Sequence, residues 1–194
     1  MRWQKSLKNS IRRRKFAAAK SPCKKAKTSN RNQTLETEKQ KAKALNSLEI
    51  NGLLRKSDNF LGTFSSDKLG TLVIVSYPCF LVVNTAPSSK KFGHWLAIRI
   101  DKSTLEIFDS LGGDPDKWGK SSKKLVEFLH FYGQRKNIFV SPILQNHFSQ
   151  LCGYFAVYFV LARKYLDFSQ ILSPFSTDLF LNDTIICDLL LTVL

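Results

Sequence analysis

An α+β fold is what this chain predicts. Short β-branched and aromatic runs fill its middle, segments with helical apolar spacing bracket them, and a basic stretch without such spacing precedes both. The 194 residues are 43% hydrophobic, 12% aromatic and 23% charged, which excludes a wholly disordered or collagen-like chain. One domain plus an appendage is expected at that length. The net charge of +15 points at first to nucleic acid or an anionic surface. Its distribution changes that inference. Residues 1–44 hold 15 Lys and Arg with only Glu36 and Glu38 as acids, whereas residues 45–194 hold 15 basic and 13 acidic side chains. The first segment therefore carries +13 and the remainder +2.

Apolar residues in 1–44 are sparse and lack a period, so burial cannot offset the entropy of ordering them, and a disordered arm is expected. Its clusters, Arg12-Arg13-Arg14-Lys15 and Lys24-Lys25 with Lys27, suit a nuclear-localisation or nucleic-acid-contacting segment. An Arg-rich, acid-poor organellar presequence and an inert solvated tail fit the same composition. No apolar h-region follows the first basic residues, which argues against a secretory signal. The longest apolar runs, 154–162 and 189–191, fall far short of a bilayer span, so a soluble chain is expected. Cys23, Cys79, Cys152 and Cys187 make no CxxC pair and no metal-type spacing with the histidines; unpaired intracellular thiols and no metal site are expected.

Leu45, Leu48, Leu53 and Leu54, with Asn46 or Ser47 as cap, predict a short amphipathic helix that ends before Asp58-Asn59. Gly62 and Gly70 mark a loop after it. Strands are expected at 71–76, 80–84 and 94–100, and Lys102-Ser103 is a tight connection into a fourth at 105–108. Gly112-Gly113-Asp114-Pro115 is a turn cluster. Ser121 or Ser122 caps a helix in which Leu125, Phe128, Leu129 and Tyr132 recur at helical spacing, with Gly133 after it. Residues 137–143 read as another strand. From Cys152 to Leu166 the chain is apolar nearly all round, as a buried helix is, and a last helix starts near Asn182 or Asp183.

The central hairpin yields a geometric expectation. If Ile100 faces Leu105 across the turn, Arg99 faces Glu106, an opposite-charge pair that supports the register. Leu96 then faces Asp109, and His94 lies on the same face at a diagonal distance of about 7–8 Å, within reach of a carboxylate. Asp109 is thereby placed to orient His94, although a purely structural His–Asp pair satisfies the same geometry. Cys152 stands where the loop 145–150 becomes the buried helix. A helix N-terminus favours a thiolate, a nearby imidazolium favours it further, and the helix's free N–H groups suit an oxyanion. Gly153 lets the backbone be approached closely. A small core residue is the competing reading of Cys152. His130 and His147 read as structural, Cys79 and Cys187 as core or partly buried thiols.

Five blocks occur in order: Asn59-Phe60-Leu61-Gly62-Thr63, Val83-Asn84-Thr85, Gly93-His94-Trp95-Leu96-Ala97, Phe108-Asp109-Ser110-Leu111-Gly112, and Gln145 seven residues before Cys152-Gly153. Over residues 45–165 the chain so resembles the adenovirus endopeptidase family, adenain, and its relatives in Maverick (Polinton) virus-like elements. Proteases that process SUMO-like modifiers share the His, Asp/Glu, Gln, Cys order more distantly. The resemblance implies a papain-like cysteine protease domain over 45–194, with a mixed or antiparallel sheet packed against helices and the nucleophile at the start of a buried helix. It implies His94 as general base, Asp109 as its acidic partner, Cys152 as nucleophile, and Gln145 as oxyanion donor together with the Cys152 backbone N–H. It implies that Trp95 lines a narrow cleft selecting glycine near the scissile bond; strand parity turns Trp95 away from His94, so that role requires a bend.

The activity so implied is a cysteine endopeptidase that cleaves Gly-containing sites in viral or virus-like structural proteins. It would act as a monomer in the nucleus or virion, or alternatively the cytoplasm, with no cofactor required for the chemistry. DNA is a cofactor in that family, so DNA is an expected activator, held by Arg12, Arg13, Arg14, Lys15, Lys24 and Lys25 of the arm. The adenovirus enzyme links its activating peptide through a cysteine upstream of the oxyanion glutamine; Gln134 stands at the matching place, so no covalent activating peptide is expected. Two other readings stay open: a protease that deconjugates ubiquitin- or SUMO-like modifiers, and an inactive nucleic-acid-binding scaffold.

Overall fold

The computed structural model describes residues 43–115, 118 and 122–191; both basic clusters of the arm, and Cys23, lie outside them. Helix α1 (Ser47–Leu54) opens on a capping box: the Asn46 side chain accepts from the N–H groups of Leu48 and Glu49, and Glu49 accepts from Asn46 N–H. Strand β1 (Phe60–Ser65), a 3-10 helix (Ser66–Thr71), β2 (Cys79–Asn84), β3 (Trp95–Ile100) and β4 (Thr104–Phe108) follow. Then come α2 (Lys123–Gly133), β5 (Asn137–Val140), α3 (Cys152–Ala162), α4 (Phe168–Leu172) and α5 (Leu179–Leu191).

Among the described residues the five strands form one sheet in sequence order. The outer pairs β1–β2 and β4–β5 are parallel, the inner two antiparallel. The expected α+β class with a mixed sheet is what the chain adopts. β2, β3 and β4 are buried on both faces, which is why they read as nearly unbroken apolar runs rather than alternating ones. Phe80, Val82, Ala97 and Phe108 face a core built with α1, α3, α4 and α5. Leu81, Val83, Leu96, Ile98 and Ile107 face a second core built with α2 and the 3-10 helix. The helix α3 is thus walled in by apolar neighbours, with Phe155, Val157, Phe159 and Val160 fully buried.

The hairpin register is the expected one, Ile100 opposite Leu105 and Arg99 opposite Glu106. The Glu106 carboxylate, 2% exposed, receives Arg99 at 3.1 Å and two bonds from Arg163 at 2.7 and 2.8 Å. Arg163 follows the last residue of α3, so this ion cluster ties the helix to the sheet it crosses.

Four expectations are corrected. Residues 60–65 are a strand rather than a loop; Gly62, at φ 125°, sits at the register shift of a bulge opposite β2, and Asn51 clamps Thr63 at both its N–H and its hydroxyl. Residues 71–76 are not a strand, because β2 already has β1 and β3 on its two edges. That segment is instead held by Tyr132, whose hydroxyl accepts from Ile74 N–H and donates to Leu72 O, while Val73 and Val75 face solvent. The last helix starts at Leu179, capped by Asp178; Asn182 is a fully buried staple whose amide donates to Leu144 O and Ser176 O. Helix α3 ends at Ala162, and α4 opens on an Asp167 capping box shared with Gln170.

Candidate active site

The antiparallel β3–β4 pair brings two chain ends together. His94 immediately precedes β3 and Asp109 immediately follows β4. Imidazole Nε2 lies 2.6 Å from Asp109 Oδ1, so the proton between them sits on the ring and the tautomer is set by the carboxylate. Asp109 is 1% exposed and held from every side. Oδ1 also accepts from Leu111 N–H at 2.9 Å and Oδ2 from Gly113 N–H at 2.9 Å. Its backbone N–H donates to Ser141 Oγ, and that hydroxyl donates back to Asp109 O. Gly113 is required for this approach: a Cβ there would meet Asp109 Oδ2 at 2.7 Å and Trp118 Nε1 at 2.3 Å. Gly112 takes the left-handed φ of 65° that turns the chain back on the carboxylate.

Cys152 is the first residue of α3, half-buried, and its thiol hydrogen-bonds His94. Because Nε2 is committed to Asp109, the ring's other nitrogen, Nδ1, is left for the sulfur. Asp109 and Cys152 are therefore both neighbours of the His94 ring. Burial disfavours the His94 cation, but hydrogen bonds to Asp109 and Cys152, and the charges of both, outweigh it and hold His94 up at about 9. Burial likewise disfavours the Cys152 thiolate, yet the His94 hydrogen bond and charge, with the backbone N–H groups of Trp95 and Gly153, bring the thiol below its ordinary range. Asp109, against its burial, stays below the usual carboxylate range through His94 and the two amides. All three shifts favour a thiolate–imidazolium pair. The other cysteines move the opposite way: burial pushes Cys79 up to about 11 and raises Cys187 as well.

Gln145 lies on the loop between β5 and α3, 2% exposed. Its Oε1 accepts from Ser110 Oγ at 2.6 Å, and one amide hydrogen goes to Ser149 O at 2.9 Å. The loop is docked on Ser110 as well, whose carbonyl accepts from the N–H groups of both Leu144 and Gln145. A primary amide has two hydrogens, so one donor of Gln145 remains for a ligand. Trp95 is half-buried against the α3 side of the sheet, and its indole N–H donates to Leu45 O at 3.0 Å. Trp95 thus meets Cys152 through its backbone N–H, while its ring is spent on the chain entering α1. That entering chain also runs over α3: Tyr154 OH donates to Lys43 O, and the Leu45 Cβ is 3.0 Å from where a Cβ on Gly153 would stand. The basic residues 12–15, 24 and 25 lie outside the described residues.

Ser110, Ser141 and Leu45 were not among the residues picked from sequence. Ser110 had a signal, since it directly follows Asp109 in a matched block; Ser141 and Leu45 had none. His130 and His147 are both exposed. Among the described residues no group of His, Cys, Asp and Glu is gathered to hold a metal ion, and no helix is long and apolar enough to cross a membrane.

No protein-family model and no curated protein matches the chain. Among solved structures, the ASFV pS273R protease is similar with a TM-score of 0.46 and 17% identity, over 76% of this chain and 68% of that one. The central domain of the Lpg1148 protein from Legionella pneumophila is similar with a TM-score of 0.41 and 13% identity, over 75% of this chain and 98% of that one. The SUMO protease Ulp1, with its catalytic cysteine oxidised to a sulfinic acid, is similar with a TM-score of 0.41 and 15% identity, over 97% of this chain and 95% of that one.

Proposed function

We propose that the chain is a cysteine endopeptidase with Cys152 as nucleophile, His94 as acid and base, Asp109 as the group that orients His94, and Gln145 as an oxyanion donor. The observation that carries this reading is that His94 joins Asp109, at 2.6 Å, to Cys152 at the head of a buried helix, with His94 held up at about 9 and the thiol brought down. The thiolate attacks the amide carbonyl carbon, forming the C–S bond and moving the carbonyl electron pair onto oxygen. The remaining Gln145 amide hydrogen and the Cys152 N–H, which has no intrahelical acceptor, stabilise that oxyanion. The imidazolium protonates the leaving nitrogen as the C–N bond breaks. Water, deprotonated by the now neutral His94, then attacks the thioester and releases the acid, restoring the thiolate–imidazolium pair.

For the substrate, the ordered sequence blocks support Gly-containing sites in structural proteins of a virus or virus-like particle. The basic arm serves as a DNA tether and a nuclear or virion address. Deleting residues 1–44 then weakens DNA binding and flattens its salt dependence, and an unchanged salt slope removes the tether.

The central test pairs a thiol-reactive probe with two substrates in wild type, Cys152→Ala and His94→Ala. Cys152 should label faster than Cys79 and Cys187 only when His94 is present. Equal labelling of the three overturns the catalytic reading. Capsid-type peptides with Gly sites should be cut in preference to a Gly-Gly-ended modifier fusion. The reverse preference would make the enzyme a deconjugating protease with the same machinery.

A further inference from the structure

A cavity of about 370 Å³ opens beside the His94–Asp109 pair. Its wall includes both of those side chains, with Cys152 and Gln145 outside the lining. In the chemistry above, His94 hands its proton to the leaving nitrogen, so the leaving half of the substrate departs past the imidazole. The cavity shares the imidazole with that route.

Its lining is chemically definite. Ala86, Leu111 and Trp118 give an apolar wall, and Phe92 stands on the rim with 80% of its surface exposed. A phenylalanine that exposed on a cavity edge has apolar area left for a ligand to cover. The acceptors of Asp109 are already taken by His94, Leu111 and Gly113. The cation on the wall is Lys90. The loop that carries Phe92 and Lys90 is anchored independently of any ligand. Ser88 donates to both Asp67 oxygens, Ala86 N–H to Asn84 Oδ1, and Lys90 N–H to Pro87 O. Gly93, against which Asn84 Oδ1 is pressed too closely for any Cβ, lets the loop return into β3. The volume is at the lower end of ligand pockets, the size of one large side chain with its flanking backbone.

We infer that this cavity is the subsite for the leaving half of the substrate. It takes an aromatic or large aliphatic residue immediately after the scissile bond, and an acidic group next along pairs with Lys90. The assignment rests on the catalytic reading, and the test separates failure of one from failure of the other.

Because the leaving amine and an attacking amine share one site, the subsite is measured by running the second half of the reaction backwards. The full-length protein is acylated at Cys152 with p-nitrophenyl acetate, and the acetyl-enzyme is offered glycinamide, phenylalanyl-aspartic amide or phenylalanyl-lysine amide. The amine nitrogen attacks the thioester carbonyl, the C–N bond forms, the C–S bond breaks, and the amine's proton goes to His94, regenerating the thiolate–imidazolium pair. The readout is the ratio of acetyl-amide to acetate in each variant, so changes in overall activity cancel.

The phenylalanyl-aspartic amide should capture acetyl about tenfold better than glycinamide, the effect of burying roughly half of a phenylalanine side chain. Phe92→Ala should remove most of that advantage, and Lys90→Glu should reverse the order of the two dipeptide amides. A p-nitrophenolate burst with equal capture of all three amines, or selectivity unchanged in both variants, overturns the subsite and leaves the catalytic reading standing. No burst dependent on Cys152 overturns both.

Discussion

Replacing Asp109 by Asn removes the charge that stands 2.6 Å from His94 Nε2 while keeping the side chain's size. An opposite charge at that range favours an imidazolium by about 1–3 pKa units. Burial, the largest influence on His94, opposes the cation and would then be less opposed. His94, now held at about 9, should fall about two units, back to its ordinary range. The Cys152 thiol, kept down by that imidazolium against its own burial, should rise in turn. A two-unit loss is about a hundredfold in the thiolate–imidazolium population, roughly 3 kcal/mol. The asparagine adds a second fault. Its NH2 group would face the N–H of Leu111 or Gly113, a donor against a donor.

The assay is the rate of iodoacetamide alkylation at Cys152, followed by peptide mass spectrometry between about pH 5 and 10, where thiol and imidazole both titrate. The wild type should hold a plateau through neutral pH and change again near 9 as His94 loses its proton. The variant should show one late alkaline rise, with a rate about a hundredfold lower near neutrality. Cys79, pushed up to about 11 by burial, reports in the same digest on whether the fold has opened. Superimposable Cys152 profiles with Cys79 protected would refute the role of the carboxylate.

The paired shifts also bear on stability. The raised His94 contributes stability that is full below its ordinary value of about 6.5 and lost as pH rises through about 9. The lowered Cys152 contributes stability that grows as pH rises toward its ordinary value of 9.0, so it opposes the histidine's trend in the wild type. Cys152→Ala should unmask the histidine, and the urea midpoint should then fall across that window, with a slope of at most about 1.4 kcal/mol per pH unit; a flat curve would mean that Asp109 alone does not raise His94. Glu106→Gln leaves Arg99 with Asp101 and the half-buried Arg163 with the Leu166 carbonyl, and should cost about 2–3 kcal/mol in denaturant unfolding; a cost below about 1 kcal/mol, the scale of an exposed pair, would make the clamp dispensable. A chain starting at Ser47 loses the Asn46 cap and the carbonyl that accepts from Trp95. It should be about 2–3 kcal/mol less stable than one starting at Lys43. Equal unfolding midpoints would show that the entering segment is not part of the domain.

What could be read from the sequence follows the range of the interaction. The hairpin register came from a turn and one charge pair seven residues apart, Arg99 with Glu106, and it carried His94 toward Asp109. Strand β1 was hidden because Gly62 reads as a loop residue, whereas here it occupies a bulge whose partner strand lies beyond a 3-10 turn. Residues 71–76 have strand composition, but a strand needs an open edge, and composition does not record that β2 has none. The groups that hold the site rigid come from farther still. Ser141 grips Asp109 across 32 residues, Ser110 grips Gln145 across 35, and Leu45 receives Trp95 across 50. Each is made of one to three hydrogen bonds by an ordinary residue, and neither periodicity nor spacing marks it.

Those long-range bonds give the charge asymmetry a structural meaning. The near-neutral domain carries the site, and the segment that joins it to the basic arm is fastened at Lys43 and Leu45, over Tyr154 and Gly153 of the nucleophile's helix and onto Trp95. An arm hung from a distant loop would tether the domain without touching its chemistry. Here the carbonyl that holds Trp95 belongs to Leu45, the residue directly after the basic segment 1–44. The junction of the two segments therefore packs on α3 within two residues of Cys152, at Tyr154.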